Sequence, residues 1–341
     1  DGEAVMKVFD LEYLFFKNLR RIKVYSRGKA VRQAVLRTAA GVFLVVAIFS
    51  NSGGEGSRVG VESDSAGVVE PGAVAGESAA LEALIEKLES PTPPFGLTAA
   101  AVWIEDLATG QVLFQSNPEA LLPPASTTKI MTALVALEWF DLDEAVTVPA
   151  ECDQLPLTQN QVGFVAGEEL RVIDVLYGLL VSSGSDAACT LASHRSTSEE
   201  FVAQMNQTAA SLGMEKTRFT NSIGLDGENG EHRTSVRDLA TLTRAALQGS
   251  VFRQIVGTRQ VTLVSQTQDR WHELVNTNEL LVSLPGSTGV KTGKTEAAGE
   301  CLVLTYEKQG KELLLVILGS ADRFGEARAL IDWLVSENLW P

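Results

Sequence analysis

Cysteine and histidine are scarce in this 341-residue chain, with three of the latter and three of the former. Cys152, Cys189 and Cys301 stand singly, without a C-x-x-C pair, a pattern that excludes a disulfide framework and a cysteine-rich zinc site. Cys189 and Cys301 sit in apolar stretches and read as core; Cys152 reads as an exposed thiol. His194, His232 and His272 are too few for a histidine-rich metal centre. Basic charge is also in deficit: 28 Lys and Arg stand against 43 Asp and Glu, a net charge of −15. Residues 1–37 nevertheless hold nine basic side chains against four acidic ones, so the remainder is more acidic still. Such a body repels polyphosphate, which argues against nucleic acid as a partner. At 45% hydrophobic and 21% charged the composition is ordinary for a globular protein.

A full-length membrane span is missing as well. The apolar run Thr38–Ser50 is about a dozen residues long, short of the roughly 20 a spanning helix needs but suited to a signal-peptide core. The basic stretch ahead of it is long for a signal peptide and favours an uncleaved anchor. Either way the N-terminus stays cytoplasmic and the rest is exported, with the membrane as a partner through this segment. Residues 1–50 are therefore expected to form the basic and signal or anchor segment. Residues 51–80, rich in Gly, Ser, Ala, Val and Glu, form a flexible linker, and 81–341 the folded domain.

Within that domain, Leu81–Leu88 has helical spacing. Ala99–Ile104 and Gln111–Gln115 flank a turn through Asp106–Gly110 and read as a hairpin. Ser126–Glu138 follows prolines and is free of Gly and Pro, hence helical. Helices are expected near 169–180, 185–194, 199–212 and 235–248. The pattern then turns to strands at Thr258–Val264, Val290–Thr292, Glu300–Glu307 and Glu312–Leu318, and a last helix covers Arg323–Ser336. Strands at both ends with helices between them predict an α+β domain whose terminal segments meet in one antiparallel sheet, beside a mainly helical subdomain.

Three short motifs carry chemistry. Ser126-Thr-Thr-Lys129 places a serine and a lysine three apart on one helix face, so the ammonium reaches the hydroxyl. A lysine acts as a base only when neutral, which burial or a second cation achieves. Ser126 at a helix start lies beside free N–H groups that stabilise an oxyanion. Lys291-Thr-Gly293, at a strand start, supplies a second cation, a hydroxyl donor, and a glycine that lets a substrate backbone lie close. Ser182-Ser183-Gly184-Ser185-Asp186 lies between two helices; Ser185 or Asp186 suits a helix cap, while Ser183 suits a proton shuttle to a leaving amine. Each motif alone is weak, since any helical Ser and Lys three apart satisfies the first.

Together and in this order they form the set of the penicillin-recognising serine enzymes. Asn117-Pro, Pro123-Pro-Ala-Ser-Thr-Thr-Lys-Ile-Met-Thr-Ala, Gly224-Leu-Asp226, Arg237-Asp-Leu-Ala, Asn276-Thr-Asn-Glu-Leu-Leu281 and Gly289-Val-Lys-Thr-Gly-Lys-Thr295 extend the match over about residues 90–340. The chain resembles the low-molecular-mass penicillin-binding proteins, the serine D-alanyl-D-alanine carboxypeptidases of peptidase family S11.

The resemblance implies the β-lactamase/DD-peptidase-like fold and a role for each residue. Ser126 is the nucleophile, Lys129 its base and Ser183 the shuttle. Lys291, Thr292 and Gly293 hold the substrate's terminal region, and Arg323 assists with its carboxylate. The N–H groups of Ser126 and Lys294 form the oxyanion hole. It further implies peptidoglycan stem peptides as substrate, β-lactam antibiotics as covalent inhibitors, and no cofactor or metal. One departure stands out: the family's second motif usually ends in Asn where this chain has Ser185, whose shorter side chain reaches a substrate carbonyl less well. Two other readings follow: a catalytically weak or inactive cell-wall-binding homologue, motivated by Ser185, and a β-lactamase, for which no loop carrying a suitably placed Glu is visible. A histidine base is not needed where a lysine already stands at the right spacing.

Overall fold

The computed structural model describes residues 91–156, 159–267 and 270–341. The expected N-terminal anchor, linker and Leu81–Leu88 helix lie outside the described residues. In chain order, β1 (Ala101–Asp106) and β2 (Val112–Ser116) form the expected hairpin. A 3-10 turn over Ala125–Thr128 leads into α1 (Lys129–Trp139). Then come β3 (Ala145–Thr147), α2 (Ala150–Asp153), β4 (Glu169–Arg171) and α3 (Val172–Leu180). The helices α4 (Ser185–Ser193), α5 (Ser198–Ser211), α6 (Val236–Ala246) and α7 (Ser250–Val256) follow. The chain then forms β5 (Gln260–Val264), β6 (Trp271–Val275) and α8 (Leu280–Ser283). It closes with β7 (Ser287–Thr295), β8 (Gly299–Lys308), β9 (Lys311–Ser320) and α9 (Arg323–Ser336).

Five strands make the main sheet, in the order β2-β1-β9-β8-β7, and every pair is antiparallel. The two ends of the domain meet where β1 pairs with β9, Ala101 opposite Leu318. Strands β8 and β9 read as continuous apolar runs because both faces of the sheet are covered. Along β9, Leu314, Val316 and Leu318 face the core shared with the helical part, while Leu313, Leu315 and Ile317 face the core under α9. Strand β7 is the edge of this sheet among the described residues.

The helical part packs α1 among α3, α4, α5 and α6. Helix α5 begins with a capping box, Thr197 Oγ1 accepting from Glu200 N–H and the Glu200 carboxylate from Thr197 N–H. No helix among the described residues is long and apolar enough to cross a membrane.

Three expectations need correction. Cys152 and Cys189 are joined in a disulfide, their Cα atoms 5.5 Å apart, and Cys152 is buried rather than an exposed thiol. Single spacing along the chain says nothing about distance once α2 packs on α4. The bond closes a loop of separation 37, so its reduction is expected to lower stability by about 4 kcal/mol by loop-closure entropy. A urea midpoint that falls in the presence of reductant checks this. Second, Lys291 lies mid-strand, not at a strand start, because β7 runs from Ser287. Third, neither Ser185 nor Asp186 caps α4: the cap position is Gly184, and no side chain fills it.

Candidate active site

The first motif reaches its geometry through a tighter turn than an α-helix. Residues three apart are eclipsed in a 3-10 turn, and Lys129 Nζ donates to Ser126 Oγ at 3.1 Å. The same ammonium donates to the Ile223 carbonyl at 2.6 Å. That carbonyl belongs to a loop organised by Asn221, whose Oδ1 accepts from the N–H groups of Ile223, Gly224 and Leu225. The loop is pinned to α1 by Thr132 Oγ1, which donates to Ser222 O. Lys129 is fully buried, and this desolvation lowers its pKa to about 7 against the opposing pull of the Asp186 carboxylate.

Asp186, which the sequence offers only as a helix cap, organises the second motif. Its buried carboxylate accepts from the backbone N–H groups of Val162, Gly163, Phe164 and Ala187. It thereby ties the loop 159–164 to the second motif, and Ser185 N–H adds a bond to Asn160 O at 2.8 Å. The signal was present, since an acid directly after Ser-Gly-Ser is an odd choice for a buried helix start, but capping offered a sufficient local account.

The second cation approaches through Ser183. Ser183 has φ +61°, left-handed, and Lys291 Nζ donates to its Oγ at 2.7 Å and to Thr292 O at 3.0 Å. Burial is the largest cause that pushes the Lys291 pKa well below the usual lysine value, followed by the charges of Lys129 and Arg323. Thr292 Oγ1 lies 2.7 Å from Thr277 Oγ1, and Thr277 N–H donates to Val181 O, linking β7 to the end of α3.

Gly293 is required by close approach: a Cβ there would lie 2.8 Å from Ser126 N and 2.9 Å from the Ala125 Cβ. Edge strand β7 therefore runs directly past the amide of Ser126. The Arg323 guanidinium donates to Gly293 O at 2.8 Å, and its Nε is buried without a partner among the described residues. Lys294 carries its ammonium outward, 3.0 Å from Glu300 Oε1. The Ser185 side chain is buried. The structure thus brings Ser126 to Lys129, Ser183 to Lys291, and Arg323 to the strand carrying Lys291, Thr292, Gly293 and Lys294.

Comparison with known proteins identifies the family. The family model described as D-alanyl-D-alanine carboxypeptidase, peptidase S11, matches residues 87–322. The D-alanyl-D-alanine carboxypeptidase DacB2 of Mycobacterium tuberculosis is 36% identical over 241 residues, which cover 69% of this chain and 81% of that protein. The carboxypeptidase DacF of Bacillus subtilis is 34% identical, over 67% of this chain and 60% of its own length. Among solved structures, a Streptomyces K15 DD-transpeptidase superposes with a TM-score of 0.67 at 29% identity, over 71% of this chain and 99% of that one. The chain belongs to the D-alanyl-D-alanine carboxypeptidase family, peptidase S11.

Proposed function

We propose that the protein is a serine-type D-Ala-D-Ala carboxypeptidase that removes the terminal D-alanine of peptidoglycan stem peptides through an acyl-enzyme on Ser126. The observation that carries this reading is the 3.1 Å contact between Ser126 Oγ and a buried lysine whose pKa lies near 7. Neutral Lys129 takes the Ser126 proton as Oγ attacks the penultimate D-Ala carbonyl. The oxyanion forms beside the Ser126 and Lys294 N–H groups, where β7 passes the 3-10 turn. As the C–N bond breaks, Ser183 passes its hydroxyl proton to the departing D-alanine amine and takes a replacement from Lys291 Nζ, from which its Oγ already accepts. Arg323, with its unpartnered Nε, and Thr292 suit the terminal carboxylate, and the edge of β7 suits the peptide backbone. Water then hydrolyses the ester.

An extracytoplasmic location fits the Cys152–Cys189 bond, since disulfides persist in oxidising compartments. Export or anchoring through residues 1–50, the linker 51–80 and a catalytic domain over 81–341 complete the proposal. β-Lactams, which mimic the D-Ala-D-Ala end, would acylate the same serine.

Release of D-alanine from a peptide ending in D-Ala-D-Ala, by the purified protein, tests the reading. No release from a folded sample that still binds the peptide would move it to a cell-wall-binding role. Ser185→Asn is expected to raise the acylation rate about tenfold, since an amide supplies the substrate contact that the short hydroxyl does not reach. Acylation kinetics with a chromogenic β-lactam check it.

A further inference from the structure

His232 lies outside the three motifs, yet it is 1% exposed and leads by hydrogen bonds to the nucleophile. Its Nδ1 accepts from Thr220 N–H at 3.0 Å, which places the ring hydrogen on Nε2. Nε2 stands 2.8 Å from Thr128 Oγ1, and Thr128 Oγ1 donates to Ala125 O at 2.8 Å. The direction of each bond is therefore set: imidazole N–H to hydroxyl, hydroxyl to carbonyl. Burial keeps the ring neutral, its pKa lowered to about 4, so Nδ1 remains an acceptor.

The chain ends on an unusual residue. Ala125 directly precedes Ser126 and has φ +47°, a left-handed conformation that side chains other than glycine disfavour. Its carbonyl is enclosed from another side by Gly224, where a Cβ would sit 2.1 Å from Ala125 O. A strained residue persists only where its surroundings over-determine it. Here the surroundings include a buried imidazole with a fixed tautomer.

We propose that His232 and Thr128 are positioning residues for acylation, holding the Ala125 carbonyl so that the left-handed turn aims Ser126 Oγ between Lys129 and the substrate carbonyl. The inference rests on the acyl-enzyme reading above. It predicts a defect in the chemical step and not in substrate capture, because neither side chain belongs to the proposed substrate contacts.

Stopped-flow acylation by benzylpenicillin separates the dissociation constant of the non-covalent complex from the acylation rate constant. Thr128→Val, which keeps shape and loses the hydroxyl, is expected to slow acylation about 10- to 100-fold with the dissociation constant unchanged. Thr128→Ser and His232→Gln retain a donor at the needed place and stay within about threefold of wild type. His232→Phe combined with Thr128→Val is expected to be no slower than the worse single variant, since both cut one chain. In an Ala125→Gly background, where the left-handed turn needs no clamp, Thr128→Val is expected to cost less than about threefold.

A folded Thr128→Val protein that acylates at the wild-type rate overturns the inference. So does a penalty confined to the dissociation constant, or penalties that multiply in the double variant. Wild-type protein that forms no adduct overturns the acyl-enzyme reading and this inference with it, which separates the two failures.

Discussion

Ser126→Ala abolishes the covalent benzylpenicillin adduct while the fold and the melting temperature stay close to wild type. The expected loss of acylation is at least about 10⁴-fold, as for removal of the nucleophile from other serine enzymes. Stability changes little because, among the described residues, the serine hydroxyl has one hydrogen bond, from Lys129 Nζ, and the turn that holds it is built by Thr127 and Thr128, whose hydroxyls donate to Pro124 O and Ala125 O. Intact-mass measurement after incubation with the β-lactam reads the result directly. A mass shift that survives in Ser126→Ala would place the acyl group on another residue and remove Ser126 from the mechanism.

Lys129 gives the second large effect, with a pH signature. Its folded pKa is lowered from 10.5 to about 7 by burial. Only the neutral amine accepts the Ser126 proton, so the acylation rate is expected to rise with pH through about 7 and then level off. Below that midpoint it falls about tenfold per pH unit. Lys129→Met is expected to lower acylation about 10³- to 10⁴-fold and to erase this limb of the profile.

The same shift bears on stability, with the sign set by linkage. The unfolded lysine holds its proton up to about 10.5, the folded one only to about 7. Burial of Lys129 therefore opposes folding fully below about pH 7, and the penalty fades as pH rises towards 10.5. Lys129→Met should melt higher than wild type at pH 6, with the gap narrowing by pH 9 to 10. Thermal melts across that range check it; a gap that widens with pH would show that the amine is not held below its ordinary value.

Much of this was legible from residue order. The sheet strands announced themselves because β8 and β9, covered on both faces, must be apolar throughout, as Cys301–Leu304 and Leu313–Leu318 are. The short strands β3, β4 and β6 were not legible. β3 and β4 have three residues each, and β6 alternates exposed Trp271, Glu273 and Val275 with buried His272 and Leu274, a pattern partly masked by its polar members. Ser126 and Lys129 were readable as a pair because i and i+3 adjoin in any tight helix. Asp186 was not, because its four N–H donors come from a loop more than 20 residues earlier as well as from its own neighbour.

Local order thus singled out the candidate reacting groups: a serine and lysine three residues apart, a second lysine two residues before a glycine, and a serine in a loop between two helices. Those relations span a few residues, and short-range geometry enforces them wherever the segments lie. What only the folded chain decided is everything that depends on distance between segments. The desolvation of Lys129, the pairing of Lys291 with Ser183, the Cys152–Cys189 bond and the His232–Thr128–Ala125 chain all depend on positions far apart in sequence. Burial and proximity are properties of packing, and no residue holds them until the sheet and the helices close around it.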